Sequence, residues 1–524
     1  MWVLKRAGAG ADSETVHERA ATSLQLGLRV ESLAVDLPQP EPPAAAPPRR
    51  DQLAWGLATA ALVFTTVAFS WGRIFYSDTW ISLTSGRFIA EHGLPRVDTL
   101  SAAGHGRPWV DQQWLAHTVF YRLWQAGGNA AVGAASALAF ALAFGILAAL
   151  LIRRGAAPLA AAAALGAALV QCLLFAETRA QSFAYPLFAV LLWILLGERG
   201  RPAGRRTLLV LPVLVLWANV HGSVLLGIAV CVACLAVRAL GSVRARAWRL
   251  AAADAGVSLL AFAALFATPY GTAMPAYYAR VLGDPALKTI AEWQPASFAP
   301  LQLPFVVLLL ATLGAVCFAR GRGARIPADA LVVGVLLGAL ATHAVRYQTW
   351  FALGVAPLLA LALTHIRPGR GMQRPPRPIL AAAGGLLLAG VVLSGAILAR
   401  TPEAMFTRFV SQPAVRTSAA YAAAHPHVRV LADDVTGSEL LWQYPALAGR
   451  VGYDARTEVY RPGDFMRFAR FLTVAGPSWT AATRGYGVVA VTCSLHPNLC
   501  SQLRHLAGWR VLADADGGLV AVRT

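Results

Sequence analysis

Residues 197–249 read "GERGRPAGRRTLLVLPVLVLWANVHGSVLLGIAVCVACLAVRALGSVRARAWR", and the number of times this stretch crosses an apolar layer sets the topology of the chain. Two apolar runs, 207–220 and 221–241, meet at "WANVHGS", and Arg-rich segments close both ends. Read as a single span, the stretch would carry the four Arg of 238–249 to the side opposite the Arg of 199–206. Short connections rich in Lys and Arg stay on the cytoplasmic side of a membrane. The stretch therefore reads as two short spans with a polar turn outside.

The same logic extends in both directions. Apolar stretches near the 17–25 residues needed to cross a hydrocarbon layer of about 30 Å recur along most of the chain. They fall at roughly 52–71, 131–151, 156–176, 180–197, 207–220, 221–241, 250–268, 301–319, 327–343, 348–366 and 378–399. Between alternate spans lie "RRG", "ERGRPAGRR", "RALGSVRARAWR", "RGRGAR" and "RPGRGMQRPPR", which hold 17 Arg and one acid, Glu198. About 11 transmembrane helices, an odd number, put the N-terminus in the cytoplasm and the C-terminus outside. With 57% hydrophobic and 14% charged residues, the chain is far from the soluble norm of about 25% charged. The net charge of +19 is mainly this loop bias, so nucleic acid is not expected as a partner.

The predicted fold is an α-helical polytopic membrane protein with a C-terminal extracytoplasmic α/β domain. Residues 1–50, polar and then Pro- and Ala-rich, read as a disordered cytoplasmic tail with no cleavable secretion signal. Residues 51–400 form the membrane domain, with a large first external loop at 72–130. From 401 to 524 the apolar runs shorten and charge returns. There "VRVLADD", "RVGYDAR" and "VVAVT" read as strands and "WRVLADADGGLVAVRT" as a hairpin turning at Asp516-Gly517-Gly518. "GSELLWQYPALAG", "GDFMRFARFLTVA", "SWTAATRGYG" and "PNLCSQLRHLAG" read as helical, and the alternation suggests a partly parallel sheet. Cys172, Cys231, Cys234 and Cys317 lie in apolar runs as packing residues, whereas Cys493 and Cys500 lie where a disulfide is permitted. No zinc-ligand set, GxGxxG or P-loop is evident.

With sides assigned, the unusual polar residues fall together. Asp78, Asp98, Asp111, Glu177, Arg179, Gln181, Asn219, His221, Tyr270, Glu292, Trp293, His343, Arg346 and Gln348 all sit at, or just beyond, the external ends of spans. Ionisable groups at membrane depth are costly and usually face a wet cavity or one another. Taken singly, each has a structural role open to it. Asp78 can cap a helix or pair with Arg73, and Asp98 and Asp111 can cap turns. Glu177 and Arg179 can pair, Asn219 and His221 can satisfy a turn, and Glu292-Trp293 and Arg346 can anchor at the headgroups. Taken together, on one face and from separate segments, they have the composition of a pocket.

The stretch "SDTWISLTSGRFIAEHGLPRVDTLSAAGHGRPWVDQQWLAHTVFYRLWQAGG" resembles bacterial membrane proteins of the GT-C glycosyltransferase type. It has an Asp-x-Trp after the first span, a "G-x-x-P-x-x-D-x-x-S" turn and a "G-x-P-W…W-L" helix. "TRAQSFAY", "WANVHGS", "TPYG", "IAEWQP" and "HAVRYQTWFAL" follow in order, so the likeness covers roughly 52–524. Asp78-Thr79-Trp80 is similar to the Asp-x-Trp of oligosaccharyltransferase catalytic subunits, which makes Asp78 the implied catalytic carboxylate and Trp80 a supporting residue. Two departures stand out. Ser82 occupies a position where many group members have His, and the "WWDYG" acceptor motif is absent, which argues against peptide glycosylation.

The resemblance implies a transferase located in the bacterial cytoplasmic (inner) membrane. It would move a sugar from a polyprenyl-phosphate donor to an extracytoplasmic glycan, lipid or protein acceptor. Arg179 and Arg346, with His221 and His343, would hold the donor phosphate. Asp78 would act as general base in an inverting displacement. Asp98, Asp111 or Glu292 would orient the acceptor or help bind a divalent cation, Mg or Mn. Gln181, Asn219, Tyr270 and Trp293 would support the site. Two other readings stay open: a lipid or sugar transporter or flippase, and a non-catalytic glycan-binding membrane protein.

Overall fold

The computed structural model describes residues 49–70, 74–175, 177–197, 205–366 and 377–524. Residues 1–48 of the expected tail, Arg73 and the Arg-rich segments 198–204 and 367–376 lie outside the described residues, and residues 49 and 50 open the first helix. Helices follow one another through Arg49–Ser70, Ser77–His92, Trp114–Arg153, Pro158–Leu173, Ala184–Leu196, Val210–Val220 and Val224–Arg244. Trp248–Ala263, Leu303–Gly321, Ala328–His343, Gln348–Ile366 and Arg377–Ala399 complete the membrane part. Each apolar run of the sequence has become one helix.

The turn at "WANVHGS" forms as the sequence requires. The chain leaves its helix at Val220, His221 is extended, and the next helix starts at Val224. A break between two helices frees backbone groups that must find partners. Asn219 donates to the carbonyls of Val215 and Ala267 at 2.8 Å each, and the Ser223 N–H donates to His221 Nδ1 at 3.1 Å. At the far end of the pair, Arg238 Nε donates to the buried carboxylate of Asp254 at 2.9 Å.

Among the described residues, five helices are long and apolar enough to cross a membrane, and six further apolar helices are shorter, at 10–17 residues. The chain is thus an integral membrane protein by its helices; eleven complete crossings are not established by helix length. The longest, Trp114–Arg153, is 40 residues and loses helical geometry at Gly127 and Gly128. Gly128 takes a φ of 62°, which only glycine adopts cheaply, so the break separates an outer segment from the expected span. Small residues let neighbouring helices close up. A Cβ on Gly56 would lie 2.7 Å from the Gly145 carbonyl oxygen, and the converse holds for Gly145.

Helix Ser77–His92 lies against Trp114–Arg153 because Gly86 has no side chain: a Cβ there would overlap the His117 carbonyl. This contact holds the carboxylate end of the first loop beside His117.

The C-terminal part is a four-stranded sheet of order β1-β2-β4-β3, with β1 Val430–Ala432, β2 Val488–Thr492, β3 Trp509–Ala515 and β4 Gly518–Arg523. β1 and β2 are parallel, and the rest is antiparallel. β2 is buried along its length and β3, at the edge, alternates, which matches the apolar run "VVAVT" and the mixed run "WRVLADA". The hairpin turns at Asp516 and Gly517, both at positive φ. Cys493 and Cys500 are joined by a disulfide.

One strand expectation fails. "RVGYDAR" makes only isolated bridges, Val451 pairing with both Val430 and Ser101. Its backbone is shared between the sheet and the first loop, as the Ala102 N–H donates to the Val451 carbonyl and the Gly452 N–H to the Val430 carbonyl. The segment splices the two parts instead of extending the sheet.

Candidate active site

Asp78 opens the helix that follows the first span, where its carboxylate complements the helix N-terminus. Glu177 and Arg179 lie on the connection between two spans, two residues apart, and Arg179 is extended. Side chains at that spacing in extended chain point the same way. Glu292 sits in a single turn, Ala291–Trp293, and Arg346 in another, Val345–Tyr347, which the Val345 N–H ties to the Gln294 carbonyl at 3.0 Å.

These segments converge on one atom. Arg179 Nη1 lies 2.9 Å from Glu177 Oε1, 3.5 Å from Asp78 Oδ2 and 3.6 Å from Glu292 Oε2. Arg346 Nη1 stands 4.0 Å from Glu292 Oε1, and its guanidinium lies over the Trp293 ring at 4.1 Å. Three carboxylates thus face two guanidiniums.

Two hollows meet at Arg179. The larger, about 410 Å³, is lined by Glu177, Arg179, Glu292 and Arg346 at its polar end and by Ile74, Leu173, Leu174, Phe175, Val345 and Phe409 elsewhere. The smaller, about 40 Å³, is mostly polar: Asp78, Ser82, Gln113, His117, Gln181, His221, Arg456 and Glu458 line it, with Ile81, Ala180 and Ala455 between them. One can take a ligand with an apolar arm. The other holds a few waters or a single polar group.

The environment separates the carboxylates. Burial pushes the Asp78 pKa up, Glu292 and Asp434 add to this, and Arg179 and Arg346 oppose it. Its side chain keeps 44% of its surface open to the hollow, so water there tempers the shift. Burial pushes Glu177 up to about 7, helped by Asp78 and Glu292 and opposed by Arg179. Burial works on Glu292 too, but Arg346 and Arg179 outweigh it and hold that group below its ordinary value. The two guanidiniums thus favour the ionised form of Glu292, and a proton on Glu177 would leave the five groups neutral. His221 is driven well below its ordinary value by burial, Arg346, Arg179 and His117. Its Nδ1 accepts from Ser223, so it presents a neutral ring to the hollow.

Several residues singled out in the sequence are not at this centre. Asp98 is buried, accepts from the Leu100 N–H at 3.0 Å and lies 3.0 Å from Arg456 Nη1; it serves to bind the first loop to the C-terminal part. Asp111 pairs with His117 at 2.9 Å and lines neither hollow itself. Trp80 packs edge-on against Phe75, and Asn219 is consumed by the turn and by the Trp114 N–H at 2.9 Å. The Tyr270 hydroxyl donates to the Pro95 carbonyl at 3.1 Å, and Gln348 pairs with Gln171. His343 is exposed at a helix end and lines neither hollow. Gln181 lines the small hollow, with its amide donating to the Tyr185 hydroxyl at 2.8 Å.

Comparison with protein-family models and with curated proteins gives no match. Solved structures do. A structure of the oligosaccharyltransferase AglB from Archaeoglobus fulgidus, in complex with an inhibitory peptide and a dolichol-phosphate, is 12% identical and covers 91% of this chain and 74% of its own, with a TM-score of 0.50. The fold resembles that of GT-C glycosyltransferases. ArnT from Cupriavidus metallidurans, bound to undecaprenyl phosphate, matches at 16% identity and TM-score 0.47, over 89% of this chain and 97% of its own. The mycobacterial arabinofuranosyltransferase AftD matches at 16% and 0.48, over 89% and 41%.

Within this GT-C-like fold, sequence reasoning missed the part played by the last domain. Ala455, Arg456 and Glu458 close the small hollow from a segment more than 350 residues beyond Asp78. Burial pushes Glu458 up to about 7, which marks it as enclosed. No local pattern in "RVGYDAR" marked this role, which arises only when the segment bridges the sheet and the first loop. His117 was within reach too, six residues after Asp111 on a helix start.

Proposed function

We propose that the protein transfers a sugar from a polyprenyl-phosphate donor to a hydroxyl acceptor on the outer side of the bacterial cytoplasmic membrane. The observation that carries this reading is the larger hollow, whose apolar wall ends at Arg179 and Arg346 while a carboxylate, Asp78, stands on the other side of Arg179. A lipid phosphate needs that combination: an apolar channel for the chain and guanidinium groups for the phosphate. The fold likeness to AglB, seen there with a dolichol-phosphate, supports the same class of donor.

The chemistry follows from the layout. The prenyl arm lies along Leu173, Leu174, Phe175 and Phe409, and the phosphate meets Arg346 and Arg179. The acceptor hydroxyl enters the polar hollow and gives its proton to Asp78, whose raised pKa suits a base better than an ordinary carboxylate would. Its oxygen attacks the anomeric carbon from the face opposite the phosphate. The bond to the phosphate oxygen breaks with its electron pair, and the two cations hold the charge that develops. A single displacement of this kind inverts the anomeric centre. Gln181, His117 and His221 orient the acceptor.

The membrane orientation belongs to the same reading. Arg-rich connections inside, with the site and the disulfide-bonded C-terminal domain outside, account for both the charge bias and the oxidised Cys493–Cys500 pair. The test is glycan analysis of a deletion strain, followed by transfer from a labelled polyprenyl-phosphate sugar by the purified protein. A missing linkage restored by the protein supports the proposal. An unchanged envelope together with no transfer would reject it, and retention of anomeric configuration would reject the single displacement.

A further inference from the structure

We infer that the guanidinium of Arg179 is the resident cation of this site, standing where three carboxylates would otherwise gather a divalent ion. Its role in transfer rests on the function proposed above; its occupancy of the carboxylate centre does not.

The convergence is on a single nitrogen. Asp78, Glu177 and Glu292 come from three separate segments, and all three direct an oxygen at Nη1, at 3.5, 2.9 and 3.6 Å. Carboxylates brought together from distant parts of a chain repel, so the fold must supply positive charge at their centre. A divalent ion would do so with oxygens at about 2.0–2.6 Å. Here the charge is covalently attached and already placed. Arg179 is only 15% exposed, and the spacing to Glu177 in extended chain fixes its direction. An ion entering this centre would have to expel the guanidinium into a half-apolar hollow and break its contacts with all three carboxylates. The residues do not fit a Mg or Mn site while Arg179 is present.

The other grouping of possible metal ligands belongs to the last domain, with Asp434 close enough to act on Asp78. Among the described residues, Asp433, Asp434 and His496 bring ligand atoms within 4.8 Å of one another. Asp433 is already engaged: it accepts from the N–H groups of Thr436 at 2.8 Å and Thr492 at 2.6 Å and from the Thr436 hydroxyl at 3.0 Å, capping the helix Asp434–Gln443. That group serves as the control.

The experiment titrates Mn²⁺ into the full-length protein in detergent, with free ion followed by electron paramagnetic resonance. Wild type, Asp78→Asn, Arg179→Ala, the Arg179→Ala/Asp78→Asn double variant and His496→Ala are compared, each shown to be folded by its melting transition. The wild type is expected to show no Mn²⁺ site that depends on Asp78. Arg179→Ala is expected to gain one, and the double variant to lose it again. Transfer by the wild type is expected to persist in excess EDTA. A wild-type Mn²⁺ site released by Asp78→Asn but not by His496→Ala overturns the inference, as does a folded Arg179→Ala that gains none. If the purified protein transfers no sugar under any condition, the proposed function falls while the Mn²⁺ titration still decides the place of Arg179.

Discussion

Replacing Asp78 with Asn separates catalysis from stability. The side chain keeps its shape and loses its charge and its basicity. Its attraction to Arg179 across 3.5 Å would be roughly 5 kcal/mol at an effective dielectric constant of about 20. With 44% of the side chain open to the hollow, the net worth is far smaller, about 1 kcal/mol or less. Arg179 also keeps Glu177 at 2.9 Å and Glu292 at 3.6 Å, so it is not left stranded. Losing a general base costs about 10²–10⁴ in rate, equivalent to about 3–5 kcal/mol of barrier. The expected result is a protein that melts within a few degrees of wild type and transfers sugar at least 100-fold more slowly. The assay pairs a thermal melt in detergent with initial rates of transfer from a labelled lipid-linked donor. A variant retaining more than a third of wild-type rate would refute the assignment of Asp78 as base.

Further outcomes follow from the same geometry. Because Asp78 must be ionised to act and its pKa is raised, transfer should fall on acidification above the ordinary carboxylate range; Glu292→Gln, which removes a charge that raises Asp78, should move that limb to lower pH, read from the pH dependence of the rate. Arg456→Met should destabilise by about 3–5 kcal/mol, since it strands the buried carboxylates of Asp98 and Asp454; melting and limited proteolysis of the full chain would show it. Gly86→Val should cost about 1–3 kcal/mol and lower the transfer rate, because the new side chain meets the His117 carbonyl and Tyr121 Cβ. Replacing Cys493 and Cys500 with Ser should cost about 2–3 kcal/mol by loop closure over a separation of 7 residues, measured as a lowered melting temperature.

How much of this was readable beforehand depended on whether a residue's role was set by its neighbours in sequence or by remote chain. Apolar length is a local property, and each apolar run it marked became a helix, five of them long enough among the described residues to cross a membrane. Asp78, Arg179, Glu292 and Arg346 were also legible, because a charge at the mouth of an apolar span is too costly to keep without a partner or a use. Asp98 and Asp111 were misplaced for the opposite reason. Both lie in a loop where charge is cheap, and their partners, Arg456 and His117, are chosen by folding. The same holds for Glu458, whose significance arises only once the last domain covers the first loop.

The Asp98–Arg456–Asp454 cluster has a consequence for biosynthesis. Its partners come from the beginning and the end of the chain, and so do the walls of the polar hollow. A ribosome-bound chain that has inserted all its apolar helices still lacks Arg456 and Glu458, so Asp78 then stands beside an unfinished hollow. The polar hollow is therefore completed only when the final segment packs over the first loop, and shortened chains would lack that wall.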